Sequence, residues 1–474
     1  MEIIAFCSTF SPVLSAFGGC FRSRRSFENF VWLVTGWILC RGRRSLSGML
    51  KAGLGPQRKK HFSSFYRFLS RARWDLDALG LLLLKLVLAS VGVLPYVVLL
   101  VDDTLLRRSG PHIFGAAMHY DPLRSSYGWG SGRGKKVLLA YGTLFVTLAV
   151  WVPLPWGRGV ALPVLFRLYR SPKNCPAQHY RKRTELAAEL VRLAVAQLGE
   201  RKVYVIGDSE YACKTLVRGL PKNVHFIGPM PMNAAVYAAA EPKRGRGAKP
   251  KKGERIPPPR YCADFDGWPW SEIELPLYGQ KVRLQYKTER CLWYSVARER
   301  LGTMLITHDP RGRYQDRAFF CTDAELSVEL MLTLFSYRWS LEAAYRACKQ
   351  ELGIEEPQNG WWRRRRGKSP AAKKPGPRPH AWRGRAAVQR TVPLGMLSYG
   401  LVHLWFLQHG NAEQVVARAR EEAPWYRRKK FPSFADMLEA LQRELCSLKI
   451  SQDPPVGRVE QQSADDPLAL PRTG

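Results

Sequence analysis

None of the ten cysteines stands in a C-x-x-C pair, so zinc-ribbon spacing is missing. A chain of 474 residues also has no need of a disulfide framework, and reduced thiols in the cytoplasm are the expectation. Acidic residues are scarce: 39 Asp+Glu face 74 Lys+Arg, a formal net charge of +35. A folded chain this basic repels itself unless it meets a polyanion, and nucleic acid is the commonest one. That disfavours an enzyme of acidic substrates and a secreted scaffold. The apolar start, MEIIAFCSTFSPVLSAFGGC, lacks a basic n-region and carries Glu2 instead, so secretion is not expected. Clean membrane spans are lacking too. Leu81 to Val101 has the length of one, but it holds Lys85 and Pro95 and runs into Asp102-Asp103. Val137 to Trp156 carries Pro153 and Pro155. Buried strand fits both better, and no membrane partner is expected.

What is present is enough apolar material for a large core: 46% hydrophobic and 11% aromatic residues. Residues 1–92 read as helices with Arg and Lys interleaved, a pattern shared by small DNA-binding domains and by plain helical caps. From there the texture turns to strands, with Tyr96 to Val101, Val137 to Val152 and Val160 to Tyr169 in succession. A helix follows, with Thr184 as N-cap and Gly199 as C-cap, then a strand Val203 to Ile206 that runs into Gly207-Asp208-Ser209. A short helix through Tyr211 to Val217 and a strand Val224 to Ile227 complete the set. Three strands, helix, strand, helix, strand, with acids at two strand ends, make an α/β layer of the kind a ribonuclease H-like core requires and other α/β folds share in part.

A Pro/Gly/Lys/Arg tract, 243–260, breaks this layer, and period-two alternation beyond it predicts two hairpins between Ile273 and Cys321. One long helix is predicted from Ser327 to Leu352. A second basic tract, 361–385, contains no acid at all, and apolar and amphipathic helices close the chain. The implied division is 1–92 helical and DNA-binding, 93–238 core, 239–321 linker plus β-rich insertion, 322–410 the rest of the core, and 411–474 a helical region with a tail.

Arg338, Glu342, Arg346 and Lys349 are four, four and three residues apart and share one helical face. On its own that face is equally a solvated one laced with ion pairs of about 0.3–0.5 kcal/mol each. The setting adds weight. Phosphodiester chemistry uses two divalent ions about 3.5–4 Å apart, held by few carboxylates, and Asp103, Asp208 and Glu342 supply three from separate elements. Asp102-Asp103 has an alternative reading as the start of a turn, and Asp208 as a helix cap. Neighbours on a strand face opposite ways, so only one of Asp102 and Asp103 can easily aim at Asp208, and pattern alone leaves the choice open.

The segment FSYRWSLEAAYRACK matches R-(3)-E-(6)-K through Arg338, Glu342 and Lys349, with Phe335 where a tyrosine is usual and Tyr337 two residues on. With LLVDDTLLRRSGPH, VIGDSEY, PRGRYQDRAFFCTDAELS and RTVPLGMLSYGLVHLWF in the same order, the chain resembles bacterial insertion-sequence transposases of the DDE type, the group marked by Y-(2)-R-(3)-E-(6)-K. The resemblance covers roughly residues 20 to 445. It implies a ribonuclease H-like catalytic core with a β-strand insertion, preceded by a helical N-terminal domain, and metal-dependent cut-and-paste transposition on bacterial DNA. Mg2+, with Mn2+ as a substitute, would sit on Asp103, Asp208 and Glu342, since the resemblance favours the acid directly before Thr104. Asp102 would then turn away toward a cation such as Arg107. Arg338 and Lys349 would contact double-stranded DNA near the scissile phosphate, and a homodimer would hold paired ends. Trp268, Trp270 and Trp293 are candidates for a ring that receives a flipped base, with core packing as the plainer role. Arg346 and the run Arg363, Arg364, Arg365 and Arg366 add charge suited to phosphates. Two other readings remain open at this level: a DNA-binding descendant without catalysis, and a basic RNA-associated protein.

Overall fold

The computed structural model describes residues 9–54, 60–108, 113–121, 125, 137–241, 248–277, 279–357 and 382–451. Five helices come first: α1 (Phe10–Ser15), α2 (Arg24–Leu39), α3 (Leu46–Leu54), α4 (Ser63–Ser70) and α5 (Leu76–Ser90). Side chains start two of them, Ser23 accepting from the Ser26 N–H at α2 and Asp75 from the Asp77 N–H at α5. Gly80 lets α5 lie directly on the sheet, because a Cβ there would stand 1.8 Å from the Val164 carbonyl oxygen. The apolar run Leu81 to Val101 is thus divided. Helix α5 ends at Ser90, Gly92 turns the chain at φ 79°, and a strand follows. Among the described residues no helix is long and apolar enough to cross a membrane.

The next elements are β1 (Val97–Arg107), β2 (Ala117–Tyr120), β3 (Leu139–Leu154), β4 (Gly157–Tyr169), α6 (Arg183–Leu198), β5 (Val203–Ile206), α7 (Lys214–Val217) and β6 (Val224–Met230). Val97 to Val101 are all buried, as a strand covered on both faces requires. The core order is β4-β3-β1-β5-β6, with β1, β5 and β6 parallel and β3 running against its neighbours. This is the α/β, ribonuclease H-like core, and helices precede it as a block. Helix α6 begins two residues earlier than Thr184 capping predicts. Lys182 is the N-cap residue, because Glu185 reaches back 2.8 Å to accept its N–H.

The β-rich segment comprises β7 (Val236–Tyr237), β8 (Arg255–Ile256), α8 (Pro259–Asp264), β9 (Ser271–Leu277), β10 (Gln280–Cys291), α9 (Tyr294–Ala297), β11 (Gly302–His308) and β12 (Arg317–Cys321). Its main strands lengthen the core sheet. Strand β12 pairs antiparallel with β6, and the sheet runs on through β11, β10 and β9.

Last come α10 (Val328–Ser336), α11 (Arg338–Gln350), α12 (Trp382–His409), α13 (Ala412–Glu422) and α14 (Phe434–Ser451). The single helix predicted over Ser327 to Leu352 is two, divided at Tyr337. The Tyr337 ring stacks on Trp151 of β3, and Phe335 packs edge-on to Phe319 of β12, so two aromatic anchors on different strands set the break. The N-terminal helices close over the far end of α11. Trp37 Nε1 donates to the Leu352 carbonyl at 2.7 Å, and the Arg44 N–H donates to Glu356 Oε2 at 2.6 Å.

Candidate active site

The last registered pair of the parallel strands β1 and β5 is Leu100 with Ile206. Two residues beyond that pair stand Asp102, still within β1, and Asp208, in the turn that follows β5. Strand β1 continues past this point because β3 still pairs with it, Asp102 opposite Thr147 and Asp103 opposite Val146. The acids therefore lie where β5 gives out, at the carboxyl end of the parallel pair. Asp208 Oδ1 accepts the N–H groups of Glu210 at 2.9 Å and Tyr211 at 3.3 Å, so it also shapes the turn that leads into α7.

Asp102 and Asp103 have different partners. Asp102 Oδ2 is 3.3 Å from Arg338 Nη1, and the same nitrogen is 3.0 Å from Glu342 Oε1. One guanidinium thus joins the first strand's acid to the acid of α11. Asp103 Oδ2 accepts from Arg183 Nη1 at 3.0 Å and from the Tyr211 hydroxyl at 3.0 Å. Arg183 in turn holds Glu210 at 2.7 Å. Arg107 does not take Asp102; it pairs with Asp121 at 2.8 Å, because Arg107 lies farther along β1 toward β2.

Burial, then the neighbouring Asp103, push the Asp102 carboxyl up to about 8, with Arg338 opposing. Asp103 is also raised, by burial first, against the pull of Arg183 and the Tyr211 hydroxyl. Glu210 rises to about 6, again through burial, with Arg183 opposing. The Asp208 charge acts on all three of these groups. So Asp102, Asp103, Asp208 and Glu210 form one electrostatic cluster, and Arg338 couples Glu342 to it.

The remaining polar residues of α11 diverge. Lys349 is turned inward and its Nζ donates to the Leu105 carbonyl at 2.9 Å; burial lowers its pKa. Arg346 is exposed. Trp293 is buried edge-on against Phe320. Trp268 and Trp270 are half-buried and share the Lys287 ammonium, 5.9 and 4.5 Å from their ring centres. Lys287 is itself buried and donates to the carbonyls of Cys262, Ala263 and Phe265 at the end of α8. Arg363, Arg364, Arg365 and Arg366 lie outside the described residues.

The donor set is four carboxylates with Glu210 beside them, all hard oxygen ligands of the type that Mg2+ or Mn2+ selects. In that chemical sense it fits a divalent ion. In the arrangement described, two arginines stand between the carboxylates, and among the described residues no group of three or more His, Cys, Asp or Glu is close enough to hold a metal. Sequence reasoning missed Arg183, Glu210 and Tyr211. The last two stand inside the VIGDSEY motif itself, and the D-x-E spacing is the signal that could have drawn attention to Glu210.

The model of a family described as DDE superfamily endonuclease matches residues 16–300, a span that includes β1, β5 and three of the acids but ends before α11. No curated protein matches the chain.

Proposed function

The chain belongs to the DDE superfamily of endonucleases, and from that membership we propose that it is a DNA transposase of the Y-(2)-R-(3)-E-(6)-K insertion-sequence group. On this reading it cuts the ends of its element and joins them to target DNA, acting as a homodimer on paired ends. The observation that carries the proposal is the Arg338 bridge, which connects Asp102 at the end of the parallel strands to Glu342 of α11. The family match stops short of α11, and this contact joins the acid of the signature helix to an acid of the matched core.

Asp102, Asp208 and Glu342 are the acids we assign to cleavage, with Asp103 held back by Arg183 and Tyr211 as a positioning residue. The Arg338 bridge to Glu342 favours Asp102 over Asp103, the acid that the resemblance prefers. When bound, Mg2+ would supply charge neutralisation and a water acidified for attack. The carboxylates would hold it, and Asp208 is already oriented by two backbone N–H groups. Arg338 suits a non-bridging phosphate oxygen, since a guanidinium offers paired donors that a carboxylate and a phosphate both accept. Lys349, tied to the β1 backbone, steadies α11 against the strand that carries the acids. Residues 1–92 and the basic tract 361–385 would add contacts to duplex phosphates.

The test is incubation of the full chain with its own element's ends and Mg2+, followed by mapping of nicks. Cleavage at the element boundary that Glu342→Ala abolishes while end binding persists supports the proposal. Tight, specific end binding with no nicking under Mg2+ or Mn2+ would instead make the chain a DNA-binding protein that has lost catalysis.

A further inference from the structure

Between α13 and α14 the chain reads Ala423-Pro424-Trp425-Tyr426-Arg427-Arg428-Lys429-Lys430-Phe431, and the active site uses none of it. The segment is firmly held. Tyr426 N–H donates to the Ala423 carbonyl and Lys429 N–H to the Tyr426 carbonyl, each at 2.8 Å. Arg420 Nε donates to the Lys429 carbonyl at 3.0 Å, and Lys429 Nζ pairs with Asp436 at 2.6 Å. The Phe431 ring lies against Gly157 at the β3–β4 turn, so close that a Cβ there would come within 2.9 Å of it. A loop anchored this way nevertheless leaves Trp425 78% and Tyr426 49% exposed. Arg427, Arg428 and Lys430 are exposed beside them, and among the described residues none of the three has an ion-pair partner. The nearby acid Glu422 is taken up by Arg443 at 2.7 Å.

We propose that residues 425–431 form a second DNA-binding site, specific for single strands, in which an unpaired base stacks on Trp425 while the flanking phosphates meet Arg427, Arg428 and Lys430. An exposed indole beside free cations on a fixed backbone matches what single strands require: a flat ring for any base and charge for the backbone. A duplex keeps its bases in its own stack and offers nothing to the ring. The site is separate from the acids. From Thr147, opposite Asp102, to Leu154 at the β3–β4 turn is about seven residues of strand, or roughly 23 Å.

The experiment measures fluorescence anisotropy of the full-length protein with a labelled oligothymidylate, a blunt duplex of equal length and an oligouridylate, without divalent ions. Trp425→Ala is expected to weaken oligothymidylate binding roughly five- to a hundredfold, Trp425→Phe to keep most of it, and neither to change duplex affinity more than about twofold. Replacing Arg427, Arg428 and Lys430 together by Ala should reduce the salt slope for the single strand by about two. Because these side chains are exposed, the variants should melt with the parent, which a thermal scan checks. Unchanged oligothymidylate affinity in Trp425→Ala, or an equal loss on the duplex, overturns the proposal. Tighter, Trp425-dependent binding of the oligouridylate would make RNA the ligand and overturn it too. None of these results bears on nicking at the acids, so this site can fail while the transposase reading stands.

Discussion

The Tyr337 ring lies flat on Trp151, with centroids 3.7 Å apart and planes 4° from parallel. Trp151 belongs to β3, the strand that also faces Asp102, and Tyr337 immediately precedes Arg338. The stack therefore sets where the signature helix starts relative to the first acid. Tyr337→Ala should destabilise the fold by about 1–3 kcal/mol and reduce nicking, because Arg338 loses its fixed origin. Tyr337→Phe keeps the ring and should retain both. Urea denaturation alongside a nicking assay measures the pair, and a fully active Tyr337→Ala would show that the stack positions nothing.

Asp102→Asn should eliminate cleavage while DNA-end binding persists, since the amide keeps the shape but loses the anion. Asp103→Asn should leave measurable nicking with reduced stability, because it removes the negative charge that Arg183 pairs with. Supercoiled-plasmid nicking by the two proteins decides the matter. The opposite order of activities would move the first acid to Asp103.

Lys287→Met should destabilise the protein by about 2–4 kcal/mol. The thioether fills the space between Trp268 and Trp270 but leaves three carbonyl oxygens at the end of α8 without their donor. Chemical denaturation gives the value, and a change under about 0.5 kcal/mol would mean that water replaces the ammonium without cost.

His403 is buried in α12, with Nδ1 3.0 Å from the Tyr399 carbonyl and its ring stacked on Phe434, and burial lowers its pKa to about 4. An unfolded histidine binds its proton near pH 6.5. Between these values the unfolded chain holds more protons, so stability is full above about pH 6.5 and falls as the pH drops toward 4, by up to about 3 kcal/mol. His403→Phe should remove that part of the slope. The check is the difference in unfolding free energy between parent and variant at several pH values. Parallel curves would refute the assignment.

Much of this fold is legible from local pattern. The uninterrupted apolar run Tyr96 to Val101 and the break at Pro95 mark a strand buried on both faces, and the helix after Tyr180 announces itself by periodicity. The acids are legible because β1 and β5 each end an apolar run in carboxylates. What the sequence hides is long-range. The division of α10 from α11 depends on rings from β3 and β12, far away in the chain. The partners of Asp102 and Asp103 depend on register and on Arg183, whose reach across to β1 has no local signal. Trp268, Trp270 and Trp293 look alike as letters; Lys287 and Phe320 give them their separate surroundings.

The pairing of β12 with β6 also bears on how such a chain can change over generations. Strand β6 is shielded on one side by β5 and on the other only by β12, so removing 271–321 would bare a row of backbone donors and acceptors along Val224–Met230. That strand is apolar, and a naked apolar edge recruits other chains. A shorter version of this protein would need a new cover for β6 in the same step as the deletion. The segment is therefore open to lengthening at its outer strand, β9, where the edge already carries Glu272 and Glu274, but closed to stepwise loss from within.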